Sequence, residues 1–346
     1  MKQILFSLLI ISSAISSDCF AQDMSNPGTY MTAISNAQTE MNQKYMAYMS
    51  AAAHSRKARK IDKLRQQVLK SIEDSRFKTI DIPIYKGDNS LRQSSIDYIK
   101  LCYNVFNDDY AKIINLEDIA EQSFDEMQAY LLLQEKTDEK INEANEKMSL
   151  ASKAFAEKYN VNVVEEKNEL GDKLGVAGKL TRYRNDMYLV FFKCSWQDGE
   201  IVKAMNAGKI TEAEQGRNSL IRYVNEGMVS LDTLKSFEGD QSLANTCKRS
   251  LGFYKKTAEV DLPKQMDYFL KKENFGKIKK SFDAKSQSDR TKKDVDAFND
   301  GVKEINNATN TFNDINKNLN TGRDEVLNNW NEAEKSFTDA HMPYYK

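Results

Sequence analysis

Apolar residues along most of this chain return every three or four positions. Ile96, Ile99, Tyr103, Phe106, Tyr110 and Ile113 keep that rhythm, and Ile141, Ala144, Met148, Ala151 and Phe155 resume it. Near the C-terminus Val295, Phe298, Val302, Ile305, Thr309, Phe312, Asn316 and Leu319 keep it again. Alternating steps of three and four lay one stripe along a helix, the seam of an antiparallel bundle or coiled coil. Strand-like alternation is confined to FKTIDIPIY at 77–85, where Pro83 limits the segment to an extended connection.

Four prolines, Pro27, Pro83, Pro263 and Pro343, fall where helices should begin or end, and the absence of proline elsewhere permits long helices. The pattern predicts six principal helices, over 29–74, 88–114, 116–159, 180–205 with a continuation over 211–235, 240–260 and 290–340. The fourth should break at Asn206-Ala207-Gly208 and restart at a capping box made by Thr211 and Glu214.

An internal repeat adds the organisation. Tyr85-Lys86-Gly87-Asp88-Asn89-Ser90-Leu91 returns as Phe237-Glu238-Gly239-Asp240-Gln241-Ser242-Leu243, each string just ahead of a helix. Gly87 and Gly239 permit a left-handed turn, and Asp88 and Asp240 can cap the helix that follows. A second echo matches Ala151-Ser152-Lys153-Ala154-Phe155 to Ala333-Glu334-Lys335-Ser336-Phe337. The step from Phe155 to Phe337 is longer than that from Asp88 to Asp240, so the later copy must hold an insertion. The lysine-rich stretch at 264–293 is the expected insertion. The fold class expected is therefore all-α: two tandem, duplicated three-helix bundles with long, antiparallel, coiled-coil-like helices. They should occupy 22–161 and 179–346, joined by a linker over 162–178 that contains Gly171, Gly175 and Gly178.

The opening of the chain, up to Ala21, reads differently from the rest. Lys2 precedes an apolar run from Ile4 to about Ile15, and in Cys19-Phe20-Ala21 the small residues Cys19 and Ala21 stand at the −3 and −1 positions before Gln22. That is the three-part pattern of a secretory signal peptide, with cleavage between Ala21 and Gln22. Asp18 just before Cys19 argues against lipidation there. From Gln22 onward no apolar run is long enough to span a bilayer, the longest being Met187–Phe192. A soluble, exported chain of the periplasm or cell surface is the expectation. A net charge of −1 with 29% charged residues argues against a general polyanion binder, though not against local basic patches.

Catalytic and metal-binding patterns are not found. The two histidines, His54 and His341, stand far apart, and no Cys-x-x-Cys occurs. Gly178-Lys179 fails as a phosphate loop, because Lys173 and Leu180 occupy the positions that need Gly and Ser or Thr. Carboxylate pairs such as Asp108-Asp109 are expected on solvated helix faces, and Cys102, Cys194 and Cys247 do not form a disulfide framework, a single Cys194–Cys247 bond and three buried thiols both staying open. The expectation is no enzyme, no metal, no cofactor and no specific nucleic acid.

Two basic clusters remain. One runs His54-Ser55-Arg56-Lys57-Ala58-Arg59-Lys60. The other, in the insertion, joins Lys271, Lys272, Lys277, Lys279, Lys280 and Lys285 with Phe275 and Phe282 interleaved. A basic surface with exposed rings suits an anionic envelope partner. The leader ending Cys19-Phe20-Ala21-Gln22, the paired aromatic-x-Gly-Asp-x-Ser-Leu turns and the helices closing on Phe155 and Phe337 resemble the uncharacterised helical surface or periplasmic proteins that bacteria export. The resemblance implies a cell-envelope location. A noncovalent binding or scaffold role is the function expected. The alternatives are an envelope enzyme whose carboxylates meet only in space, and a membrane-active helical protein.

Overall fold

A computed structural model describes residues 24–54, 58–109, 112, 120–163 and 169–345, with the side chains at 58, 59 and 62 left aside. The leader, with Ala21 and Gln22, and residues 55–57 of the first basic cluster lie outside the described residues. Nearly all the rest is helical, and no strand occurs among the described residues. The α-helices are α1 (Pro27–His54), α2 (Ala58–Asp81), α3 (Ser90–Asn104), α4 (Phe124–Lys158), α5 (Glu169–Asn206), α6 (Ile210–Thr233), α7 (Ser242–Lys256), α8 (Leu262–Asp283) and α9 (Lys292–His341). Short π-helical turns follow α3 (Val105–Asp109) and α7 (Thr257–Asp261), and a 3-10 turn at Gln287–Asp289 precedes α9.

The chain forms two compact units, one of the residues up to Asn185 together with Thr338–Lys346, the other of Asp186–Phe337. In the first unit the expected single helix over 29–74 is corrected. Lys78 donates to Glu40 Oε2 at 2.9 Å, whereas one straight helix would carry even position 74 roughly 51 Å from position 40. α1 and α2 are therefore antiparallel, and among the described residues up to Lys158 four helices stand where three were expected, with the start of α5 in the same unit. One core layer joins Tyr30, Ile34, Ile82, Tyr85, Leu91 and Phe155; the next joins Met41, Val68, Ile72, Ile99, Phe106 and Ala144. Burying both stripes of the α1–α2 pair is what folds the long amphipathic sequence back on itself. Gln38 and Ser95 bridge α1 and α3 inside this core with a 2.7 Å hydrogen bond.

The expected linker is corrected as well. Gly171, Gly175 and Gly178 lie within α5, where Ala177 and Leu180 are fully buried. Glycine disfavours a helix interior by about 1 kcal/mol relative to alanine, and burial of the neighbouring apolar residues outweighs that.

In the second unit α5 and α6 also fold back on each other, with Lys193 Nζ 3.0 Å from Glu226 Oε2. The break falls at Asn206–Gly208 as expected, Gly208 taking φ +72°. Lys209 rather than Thr211 precedes α6, and the helix start has no side-chain cap, so the expected capping box is not formed. Phe191 stacks on Trp330 of α9 with centroids 4.3 Å apart. Arg323 of α9 grips the buried Asp198 of α5 through Nε and Nη2, at 2.6 and 3.1 Å.

Candidate functional site

The residues expected to bind a partner lie on α8 and the turn after it. Pro263 stands in the first turn of α8, a position where its fixed φ suits a helix start and its missing N–H costs nothing. From there α8 and α9 run as a helical hairpin whose interior is aromatic. Tyr268 and Phe269 meet Phe312 at 4.7 and 5.7 Å, and Phe275 and Phe282 meet Phe298 at 5.7 and 4.5 Å. Phe275 and Phe282 are thus half-buried packing residues, which corrects their reading as exposed rings. Positions 275, 278 and 282 form a three-then-four step on one face of α8, the signal that would have identified them as interior.

The lysines divide into two sets. Lys271 pairs with Asp267 and Glu304, Lys277 with Glu273, and Lys285 with Asp294. Lys272 leans over the ring of Tyr268. Lys279 and Lys280 are exposed and carry no ion pair among the described residues. Lys285 and the Thr291 hydroxyl and amide hold the Asp294 carboxyl down at about 2. An open cleft of about 420 Å³ lies at the base of the hairpin, lined by Pro263, Lys264, Asp267, Lys271, Asn307, Ala308 and Thr311.

The two repeated turns have matching geometry. Tyr85 and Asp88 form an isolated bridge, as do Phe237 and Asp240. Lys86 and Gly87 take φ +46° and +83°, Glu238 and Gly239 +51° and +89°, the left-handed pair of a type I′ turn. Asp88 Oδ1 accepts the Ser90 amide at 2.8 Å, and Asp240 Oδ1 the Ser242 amide at 2.7 Å. Both aspartates precede the assigned helix cap by one residue, so they brace the entry turn and do not act as the cap itself. Each turn ring meets the phenylalanine of the second echo, Tyr85 with Phe155 at 5.3 Å and Phe237 with Phe337 at 5.9 Å.

No protein-family model, curated protein or solved structure matches this chain. Its chemistry must therefore be read from its own residues. Among the described residues no three His, Cys, Asp or Glu side chains gather as a metal site, and no described helix is long and apolar enough to cross a membrane. The pair Asp138-Glu139, one of the carboxylate pairs expected on solvated helix faces, departs from that expectation: burial pushes the Asp138 carboxyl on α4 up to about 6, with Arg182 opposing and Glu135 adding to the shift. Asp138 lines neither this cleft nor a second of about 200 Å³ between α7 and α9. Nothing in the periodicity marks it, since its shift comes from burial, which only the packed fold supplies.

Proposed function

We propose that this protein is an exported cell-envelope or surface module that works by noncovalent contact, built from two copies of one helical unit. The copy is a helical hairpin, a type I′ turn, a helix ending in a π turn, and a long return helix. Duplication is supported by a single register, the one that carries Asp88 onto Asp240, which runs without a gap. It relates the ends of α1 and α5, the whole of α2 and α6, the turns, the whole of α3 and α7, and both π-helical turns.

The observation that carries the function is the departure from this register. Between the end of the π turn and the closing phenylalanine, the first copy runs only from Asp109 to Phe155, whereas the second runs from Asp261 to Phe337. The added length lies in α8 and α9, which pair with each other through Phe275, Phe282 and Phe298. An element that one copy lacks, and that packs chiefly on itself, serves something other than the core. Export is supported by the leader pattern before Gln22. The test is capture from an extract of the host envelope with the protein beginning at Gln22, beside cell fractionation and N-terminal sequencing. Retention of a defined envelope component by the intact protein is expected. Cytoplasmic fractionation with the leader intact, or recovery no different from a control helical protein, would refute the reading.

A further inference from the structure

Charge is unevenly placed along this chain. From Lys271 to Lys293 stand nine Lys and Arg against three Asp and Glu, a net of +6. The whole chain carries −1, so the remainder carries −7. Such asymmetry points to a segment that meets a polyanionic surface.

Lys271, Lys277 and Lys285 are offset by Asp267, Glu304, Glu273 and Asp294, and the fold places four of the remaining cations at one end of the α8–α9 hairpin. Lys279 and Lys280 stand near the end of α8, and Lys292 and Lys293 open α9. All four are exposed and have no ion-pair partner among the described residues. Lysines in the first turn of α9 stand where the helix dipole favours acids, a local cost that folding does not explain and a functional site would. The end itself is well fastened. Lys285 Nζ bonds both oxygens of Asp294 at 2.7 and 2.8 Å, and Arg290 lies 4.2 Å over the Phe282 ring. The cations therefore sit on a fixed frame, which lowers the ordering cost of contact. The rings face into the hairpin, leaving no platform on which unpaired bases could stack.

We propose that this basic end of the hairpin docks on the phosphate groups of an anionic lipid surface. The inference rests on the binding-module reading above and names the class of its partner. Each lysine near an anionic leaflet strengthens attachment about five-fold. The contact is screened over about 8 Å at physiological ionic strength.

The experiment sediments the protein beginning at Gln22 with vesicles of phosphatidylcholine alone, or of phosphatidylcholine with phosphatidylglycerol. Binding to the mixed vesicles only, weakening as salt rises, is expected. Combining Lys279→Gln, Lys280→Gln, Lys292→Gln and Lys293→Gln should lower the partition coefficient at least about a hundred-fold, with the helical circular dichroism unchanged. Soluble glycerol phosphate at the same phosphate concentration should not displace the protein, because docking needs an array. Failure to bind mixed vesicles, equal binding by the fourfold variant, equal binding to neutral vesicles, or displacement by glycerol phosphate would overturn the proposal. If vesicles are not bound but the fourfold variant loses an envelope protein that the parent captures, the lipid inference falls and the binding-module reading stands.

Discussion

Lys158, in the last turn of α4, donates to Asp88 Oδ2 at 2.7 Å across 70 residues of chain. The same carboxylate accepts from the Tyr159 hydroxyl at 3.0 Å and from the Ser90 amide at 2.8 Å. One side chain thus braces the turn ahead of α3 and fastens the end of α4. Its Lys158 and Ser90 bonds, with that of Tyr159, hold the Asp88 carboxyl far below the usual carboxylate range. A depressed folded pKa means that the stabilisation is complete above the unfolded value of about 3.9 and is lost as pH falls through the folded one. Asp88→Asn should lower the urea midpoint at neutral pH, and the gap to the parent should narrow below about pH 4. A gap that stays constant on acidification would show that the charge is not what stabilises the turn.

The second turn supplies a matched test. Asp240 braces the Ser242 amide as Asp88 braces that of Ser90. Asp88→Ala and Asp240→Ala should each cost about 1.5–3 kcal/mol, the range for a lost hydrogen bond to a charged group. Gly87→Ala and Gly239→Ala should each cost about 1–2 kcal/mol, because both sites need φ well above zero. Denaturant titrations of the four variants would check this. A large loss at one turn with none at the other would remove their equivalence.

The helical class, the break at Gly208 and the paired turns were legible because each has a local cause: periodicity, a left-handed glycine, a fixed string around Gly-Asp. The reversal between α1 and α2 was not. His54-Ser55-Arg56-Lys57 contains no glycine or proline, and the apolar rhythm continues on both sides. Only burial against α3 and α4 folds the two stripes together. Gly171, Gly175 and Gly178 misled in the opposite sense, since propensity yields to packing at Ala177 and Leu180. At the candidate site the lysines were visible, but which of them are already paired depends on α9.

Glycine positions on α7 and α9 make opposite predictions. A Cβ at Gly322 would fall inside any allowed contact with Phe253 Cε2, whereas one at Gly252 meets nothing within 4 Å. Gly322→Ala should destabilise by about 1–3 kcal/mol through overpacking. Gly252→Ala should stabilise by about 0.5–1 kcal/mol by favouring the helix. Thermal melts of both variants would decide, and a neutral Gly322→Ala would mean that the ring moves aside freely.

Arg323 and Asp198 make a buried pair that holds α9 to α5 within the second unit, the Asp198 side chain being 4% exposed. Removing one partner strands the other charge, so Arg323→Ala should cost about 3–5 kcal/mol. Pairing it with Asp198→Leu should recover part of that loss, because two matched apolar residues leave no orphan charge. A double-mutant cycle with no coupling would show that water already serves the pair.

The cysteines allow a test in the protein beginning at Gln22. Cys102, Cys194 and Cys247 are buried and free, and burial pushes each thiol up to about 12. The thiolate is the reactive form, and at about pH 8 it is then on the order of one part in ten thousand of each thiol. Protein beginning at Gln22 should react with a thiol reagent only after unfolding, and all three cysteines should then label. Stability should also fall as pH rises past about 8.5, where unfolded thiols ionise and buried ones do not. Labelling before unfolding would contradict the burial. A single reactive thiol after unfolding without reductant would mean that two cysteines are bonded in that protein, and peptide mapping would identify which.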